Sequence, residues 1–309
     1  MQEEIEKLQE LLRDDPSNFQ ARRELSILLA DNGFNEEALS NLEYLLKYFS
    51  EDAELYYNIG ILYEKIKDFK NAEKAYKSAV KISPQEDFYY NLGEVLVSLE
   101  KWDEAIDCFK TVLKTDSKDG NCYFNLGLCY LRKNENNTAA DFFQKAIELN
   151  PNDIFAHFYL GNIYQNTGLT NFAEECYRKV LDISPDYSWA YFNLAAIAYK
   201  NANLEDARDY LEKTIQYNPY DIEAYKLLTK IYMKNHETEE IIEILEERLE
   251  DEENGDLYYV LAQVYRIVEN MNSYGYNLEK ALDNSLTLTY PKKAIEEELK
   301  YIEKISYDK

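Results

Sequence analysis

The chain contains few residues that interrupt regular structure. Its 309 residues include six prolines, nine glycines and two tryptophans, whereas tyrosine occurs 29 times. It also has no apolar stretch of about 18 residues, so we predict no membrane-spanning helix. The first segment, MQEEIEKLQELLRDD, is charged and amphipathic, and it does not have the pattern of a secretory signal peptide.

Positive charge is scarce. Lys and Arg number 34 against 59 Asp and Glu, which gives a formal net charge of −25 at pH 7. Phosphate backbones and anionic lipid surfaces repel so acidic a chain. We therefore expect no nucleic-acid partner, and we interpret most of the acidic surface as a feature that favours solubility. The acidic run at residues 236–254 leaves the docking of a basic partner open.

Cysteine and histidine are too few to suggest chemistry. No two of the four cysteines form a C-x2-C pair of the kind that binds zinc. Cys122 and Cys129 stand seven apart on one predicted helix, about 10.5 Å along its axis, which is too far for a disulfide. Neither His157 nor His236 has a nucleophile at a recognisable spacing, and no P-loop, dinucleotide or HExxH motif occurs. We predict a protein that is not an enzyme, with no cofactor and no metal.

Two helical patterns joined by a polar turn make up residues 120–153, GNCYFNLGLCYLRKNENNTAADFFQKAIELNPND. The first pattern contains the small Gly127 and the large Tyr130, and the second contains Ala139 and Phe143 on one face. Because glycine and alanine lack bulk, we predict that the two helices cross closely and that the large side chains fill the wedge beside the crossing. One such hairpin cannot bury both of its faces, so it requires stacked neighbours.

Tyr-x2-Leu-Gly-x2-Tyr, followed by Ala-x3-Phe and Pro, resembles the tetratricopeptide repeat, and variants of this pattern recur along the chain. We predict eight repeats, at residues 19–52, 53–85, 86–119, 120–153, 154–187, 188–221, 222–254 and 255–288. Residues 1–18 are predicted to form an N-terminal capping helix, and residues 289–309 a C-terminal capping helix. The resemblance implies an all-α fold, an α-solenoid of about eight helix hairpins wound into a right-handed superhelix.

In this family the first helix of each hairpin lines a concave groove, so the resemblance implies which side chains face a guest. The sixth position of the first helix is asparagine in four repeats, at Asn58, Asn91, Asn125 and Asn193. The fifth position is aromatic, at Tyr57, Tyr90, Phe124, Phe158, Phe192 and Tyr259. An amide side chain can form hydrogen bonds with the backbone of an extended peptide, and aromatic rings can form apolar walls around the side chains of that peptide. The alternative is that the asparagines and rings serve the packing between repeats.

Five cations of the sixth to eighth repeats fall at positions that the resemblance places on the concave wall, namely Lys200, Lys226, Lys230, Lys234 and Arg266. The three lysines of repeat seven are spaced by four and therefore share a helix face. We interpret this face as an anion-accepting end of the groove, for an acidic segment or a terminal carboxylate. The alternative is a solvated face that neutralises nearby carboxylates such as Glu223.

These patterns predict a non-catalytic adaptor or scaffold that holds an extended or helical segment of a partner protein in the concave groove. The alternative function is a structural subunit of a larger assembly, which would use its edges, its convex face or its terminal helix. We expect a monomer rather than an obligate oligomer. The cysteine content and the lack of a signal pattern favour the cytoplasm, and a periplasmic or secreted location is the alternative if a signal has been removed.

Overall fold

A computed structural model describes residues 2–307, with side chains described as far as Ile302. The described residues form eighteen α-helices and no strand, which confirms the all-α class. The chain divides into two compact units, unit 1 (residues 1–163) and unit 2 (residues 164–309). The ends of the two predicted capping segments, residue 1 and residues 308–309, lie outside the described residues.

Unit 1 is a stack of helical hairpins, each consisting of two helices and a short turn. Its helices are α1 Gln2–Asp14, α2 Phe19–Asp31, α3 Asn35–Leu46, α4 Ala53–Lys65, α5 Phe69–Ile82, α6 Glu86–Ser98, α7 Trp102–Thr115, α8 Gly120–Arg132 and α9 Asn136–Leu149. The following helix, α10 Ile154–Asn166, begins in unit 1 and ends in unit 2. The pairs α2–α3, α4–α5, α6–α7 and α8–α9 pack as hairpins, and α1 packs against α2.

Unit 2 repeats this arrangement. Its further helices are α11 Thr170–Ile183, α12 Ser188–Lys200, α13 Leu204–Tyr217, α14 Ile222–Asn235, α15 Thr238–Asp251, α16 Gly255–Ile267, α17 Met271–Asp283 and α18 Lys292–Tyr307. The pairs α12–α13, α14–α15 and α16–α17 form hairpins, and α18 packs against α17. Both units are therefore α-solenoid stacks, and we keep the predicted repeat bounds as our interpretation of these helix pairs.

Aspartate and asparagine begin many of the helices. The carboxylate of Asp119 accepts a hydrogen bond from the backbone N–H of Cys122 at the start of α8, and Asn254 accepts one from Leu257 at the start of α16. Such a side chain satisfies one of the N–H groups that a first turn leaves without a helical partner. Where such a cap is present, it fixes where the helix begins, and thereby which of its side chains lie on each face.

The helices of a hairpin cross closely where the sequence predicted small residues. An added Cβ atom on Gly127 would lie 2.7 Å from the ring of Phe143, and one on Gly93 would lie 2.7 Å from the ring of Phe109. Both aromatic side chains are fully buried. The predicted steric role of the glycine is confirmed at these two hairpins.

Hairpin turns place one residue in the left-handed region of backbone space. These residues are Gly33, Lys67, Glu100 and Asn134 in unit 1, and Gly168, Ala202, His236 and Glu269 in unit 2. Only two of the eight are glycines, although a residue with a Cβ atom adopts this conformation at a cost. We infer that packing between the paired helices imposes the same turn geometry whatever residue occupies it.

Candidate functional site

The first-helix face of unit 1 is the face of α4, α6 and α8 that carries the predicted aromatic row. Tyr57, Tyr90 and Phe124 are each half-buried on it. The ring centroid of Tyr90 lies 5.8 Å from that of Phe109, and the ring centroid of Phe124 lies 5.6 Å from that of Phe143. Each ring thus packs on the buried aromatic residue of its own hairpin and leaves part of its surface accessible.

Two of the predicted asparagines connect successive hairpins. The Nδ2 atom of Asn91 donates to the hydroxyl of Tyr57 at 3.0 Å, and the Nδ2 atom of Asn125 donates to the hydroxyl of Tyr90 at 3.3 Å. Both asparagines are half-buried, whereas Asn58 on α4 is exposed. One donor of each connecting amide is therefore used within the protein, and the exposed amide of Asn58 is the most accessible of the three.

The interruption of the asparagine series has a structural reason. Phe124 has no hydroxyl to accept a hydrogen bond, and the next hairpin presents Tyr159 where the others present asparagine. The ring of Tyr159 lies 6.0 Å from that of Phe124 and stacks on that of Phe143 at 5.5 Å. Half-buried Phe158 lies beside it, with a ring separation of 6.2 Å. Between these two hairpins, a contact between the rings of Phe124 and Tyr159 replaces the Asn–Tyr hydrogen bond of the preceding hairpins.

Carboxylates make this face negative. Burial raises the pKa of Glu94 above its ordinary value, a hydrogen bond from Tyr90 opposes the rise, and the charge of Glu64 adds to it. Glu64 accepts a hydrogen bond from the hydroxyl of Tyr76 at 3.0 Å. Within the part of the chain whose side chains are described, neither carboxylate forms an ion pair with lysine or arginine. Their charges therefore remain uncompensated on this face.

An apolar pocket of about 210 Å³ lies on the same side of the hairpins, between α2 and α4. Ile27 and Ala30 of α2 and Ile61 of α4 supply apolar lining, and Asn58 borders it. Ile27 is exposed although it is a large hydrophobic residue. An amide and an apolar pocket thus lie side by side on an accessible surface.

In unit 2 the predicted groove residues Phe192 and Asn193 lie on α12, and both are half-buried. Phe192 packs against the core of the unit. The Nδ2 atom of Asn193 donates to the backbone carbonyl of Trp189 at 2.8 Å, one turn earlier in the same helix. The amide of Asn193 is therefore used locally, unlike those of Asn91 and Asn125.

Among the predicted anion-accepting residues, Lys226 is already paired. Its Nζ atom lies 2.7 Å from Asp256 and 2.9 Å from Glu223. Burial alone would lower the pKa of Lys226, but the hydrogen bonds with these two carboxylates raise it above its ordinary value. The other four predicted cations are exposed, namely Lys200, Lys230, Lys234 and Arg266.

Sequence reasoning missed the C-terminal connector, which we define as residues 284–291 between α17 and α18. Its Thr289 donates to the carboxylate of Asp256 from the backbone N–H at 2.6 Å and from the hydroxyl at 2.7 Å. Burial would raise the pKa of Asp256, but hydrogen bonds from Lys226 and Thr289 hold it below its ordinary value. The available signal was length, since this connector has eight residues where those between α11 and α12, α13 and α14, and α15 and α16 have three or four.

Features that would support catalysis are few in the described residues. They contain no cluster of three or more potential metal ligands. All four cysteines are buried and free, and burial raises the pKa of the Cys176 thiol to about 11. His157 is buried, with its Nε2 atom 3.0 Å from the carbonyl oxygen of Pro151. None of the described helices combines the length and apolar character needed to cross a membrane.

Stacked hairpins with glycine–aromatic crossings define a repeat scaffold, a class of protein that mediates protein–protein interactions. Four family models, each described as tetratricopeptide repeat, match residues 24–87, 86–152, 142–174 and 171–231. Taken together, these matches extend from residue 24 to residue 231. The chain belongs to the tetratricopeptide repeat family.

Individual relatives cover parts of the chain. Tetratricopeptide repeat protein 6 of Homo sapiens is 28% identical over 103 residues, which are 33% of this chain and 20% of that protein. The match thus spans about a fifth of the length of that curated relative. Among solved structures, YrrB, described as a TPR protein with an unusual peptide-binding site, is 27% identical. Its TM-score is 0.51, and the match covers 59% of this chain and 95% of that structure.

A further solved structure resembles a larger share of the chain. PilF of Pseudomonas aeruginosa has a TM-score of 0.57 and is 17% identical, and the match covers 69% of this chain and 97% of that one. At this identity the likeness concerns the fold alone. It adds a second solenoid whose hairpins stack in the same manner.

Proposed function

We propose that this protein is a non-catalytic adaptor that holds an extended segment of a partner protein against the first-helix face of unit 1. The observation that carries the proposal is the exposed amide of Asn58 beside the apolar pocket of about 210 Å³. An amide can pair with the backbone of any extended peptide, and an apolar pocket can receive one of its side chains.

The neighbouring hairpins support this proposal. Tyr57, Tyr90 and Phe124 offer partly accessible rings, which give large contact area at low cost in side-chain entropy. Phe158 continues this row on α10. The Nδ2 atoms of Asn91 and Asn125 hold the tyrosine hydroxyls, and in this proposal their carbonyl oxygens accept hydrogen bonds from a guest. Peptide binding by YrrB, stated in its description, supports the same interpretation by likeness.

In unit 2 we propose that the exposed lysines Lys230 and Lys234 accept a negatively charged group of a bound segment. They stand one turn apart on α14. Lys226 serves mainly to hold Asp256, so it contributes little free charge. Because an exposed ion pair is screened by salt, binding through these two lysines should weaken as the ionic strength rises.

Panning a random peptide library against the full chain tests the adaptor proposal without a known partner. The dissociation constant of a selected peptide is then measured for wild type, Asn58→Arg and Asn137→Arg. Asn137 is the matched control because it is an exposed asparagine of the same unit on a second helix, α9. We expect Asn58→Arg to weaken binding by about tenfold or more, and Asn137→Arg to leave it unchanged.

Equal effects of the two substitutions would contradict the proposal, because they would show that the peptide does not lie along the first-helix face. Failure to select any peptide from the library would contradict it as well. Thermal melts of both variants should match wild type, since each substitution replaces an exposed side chain.

A second candidate function is assembly through the C-terminal edge. Large hydrophobic residues that are exposed there include Tyr276 on α17, Leu286 in the C-terminal connector and Tyr301 on α18. Light scattering at micromolar concentration tests this candidate. A dimer or larger species that Tyr301→Lys converts to a monomer would favour assembly, and a monomeric wild-type chain would argue against self-association.

A further inference from the structure

The first helices of the last two hairpins, α14 and α16, border a cavity of about 380 Å³. Lys230 of α14 and Gln263 of α16 are among its lining residues. Thr289 and Tyr290 of the C-terminal connector also line it. We call this surface the α14–α16 face. A segment of the chain itself therefore lies on the side of unit 2 that corresponds to the peptide-binding side proposed for unit 1.

The connector satisfies a carboxylate that would otherwise be poorly paired. The Asp256 side chain is 4% exposed and is bonded to Lys226 at 2.7 Å. Its other two hydrogen bonds both come from Thr289, one from the backbone N–H and one from the hydroxyl. A buried carboxylate without enough donors is costly. The site thus requires a residue that offers an N–H and an O–H together, which means serine or threonine.

The next residue of the connector supplies an aromatic ring. The ring centroid of Tyr290 lies 4.4 Å from that of Tyr259 on α16. The ammonium group of Lys226 lies over the ring of Tyr290, 5.2 Å from its centroid. An aromatic side chain close to both a second ring and a cation gains ring–ring contact and cation–π attraction. The α14–α16 face therefore favours an aromatic residue directly after the hydroxyl residue.

The connector is longer than is needed to join two helices, which indicates that its contacts with the α14–α16 face have a purpose beyond joining α17 to α18. Three or four residues suffice between α11 and α12, α13 and α14, and α15 and α16, whereas eight residues join α17 to α18. The residues that contact the α14–α16 face belong to this longer segment. The helix α18 has its own anchor, since Ile295 is fully buried against Tyr274 and Leu278.

We propose that the α14–α16 face is a recognition site for an extended partner segment in which serine or threonine precedes an aromatic residue. The C-terminal connector occupies this site as an intramolecular ligand, and a partner segment binds by displacing it. The proposal rests on the proposed function in one respect, namely that first-helix faces of this chain bind peptide segments.

A synthetic fluorescent peptide of residues 285–293 tests the proposal by anisotropy. The full-length variant Thr289→Ala with Tyr290→Ala, which we call the opened variant, has lost the intramolecular contacts. We therefore expect it to bind the peptide about tenfold more tightly than wild type does. Adding Asp256→Asn should weaken that binding by about tenfold. The control variant Tyr276→Ala removes an exposed tyrosine of α17 and should bind as wild type does.

Two outcomes would overturn the proposal: equal binding by wild type and the opened variant, or binding that Asp256→Asn leaves unchanged. If the opened variant does not fold, hydrogen exchange in wild type decides instead. A large excess of the peptide should raise the exchange of residues 286–290, whereas a control peptide carrying Thr289→Val and Tyr290→Leu should not. Exchange that is unaffected by the first peptide would equally refute displacement.

The two proposals fail in different ways. The adaptor proposal is tested on unit 1 through Asn58, with peptides selected from a random library. The displacement proposal is tested on unit 2 with a peptide of known sequence. Binding of the 285–293 peptide to the opened variant would support the second proposal even if Asn58→Arg had no effect on a selected peptide.

Discussion

The amide of Asn125 on α8 donates a hydrogen bond to the hydroxyl of Tyr90 on α6, across 3.3 Å and between consecutive first helices. Asn91 makes the corresponding bond to Tyr57 one hairpin earlier. In these pairs, the hydrogen bond restricts the positions of both the asparagine side chain and the tyrosine side chain. A guest would therefore meet side chains whose rotamers are already restricted, which lowers the entropic cost of binding.

The Asn125–Tyr90 bond should contribute measurably to stability. We expect Asn125→Ala to lower the free energy of unfolding by about 1 kcal/mol, the usual net value of a neutral hydrogen bond. Tyr90→Phe should cost more, because it also removes the hydrogen bond to Glu94, and the double variant should cost less than the sum of the two. Urea unfolding of the four proteins measures this coupling. Asn58→Ala is the control and should change stability by no more than about 0.5 kcal/mol, because Asn58 is exposed.

The close crossing of α6 and α7 can be tested with one methyl group. Gly93→Ala would place Cβ 2.7 Å from the ring of buried Phe109, so we expect it to destabilise the protein by about 1–3 kcal/mol. Gly275→Ala on α17 is the control, since its Cβ would lie 3.9 Å from Ile302. Alanine is the better helix former, and this control should be neutral or more stable by up to about 1 kcal/mol. A loss at Gly275 as large as the loss at Gly93 would argue against a steric cause.

The half-buried carboxylate of Glu94 should make stability depend on pH. Burial raises its pKa in the folded state above the ordinary value of 4.5, so the folded protein binds this proton more tightly than the unfolded chain does. The stability gained from that proton is fully present below the unfolded pKa and is lost as the pH rises through the folded pKa. Glu94→Gln should therefore stabilise the protein near pH 7, where the folded state holds the charged carboxylate at a cost, and change its stability little near pH 4.

Thermal melts at the two pH values measure this difference. Glu54→Gln, which removes an exposed carboxylate from α4, is the control for a change in net charge. A Glu94→Gln variant that is less stable than wild type at neutral pH would show that the carboxylate is favourable where it lies.

The fold class follows from the sequence because its determinants are local. The small residue at Gly127 and the ring at Phe143 recur at nearly constant spacing, and each hairpin needs only its own pattern to specify the crossing. The division into two compact units could not be predicted in this way, because the pattern within one hairpin carries no information about it.

The candidate site was predictable to a smaller extent. The positions of the asparagines and rings on the first helices follow from the repeat pattern, but their hydrogen bonds depend on side-chain directions between hairpins. The exchange of an Asn–Tyr pair for Tyr159 and Phe124 was a readable signal of those contacts. The repeat pattern gives no signal for the bond between Asp256 and Thr289, and only the length of the C-terminal connector distinguishes that segment from the other connections.

Site-specific photo-crosslinking tests the central claim most directly. Benzoylphenylalanine is placed at Asn58 or, as the control, at Asn137, and each protein is irradiated with a library-selected peptide bound. The account predicts a covalent adduct from Asn58, identified by mass spectrometry, and none from Asn137. An adduct from Asn137 alone, or none from Asn58 while the peptide remains bound, would contradict the claim that the first-helix face of unit 1 holds the partner segment.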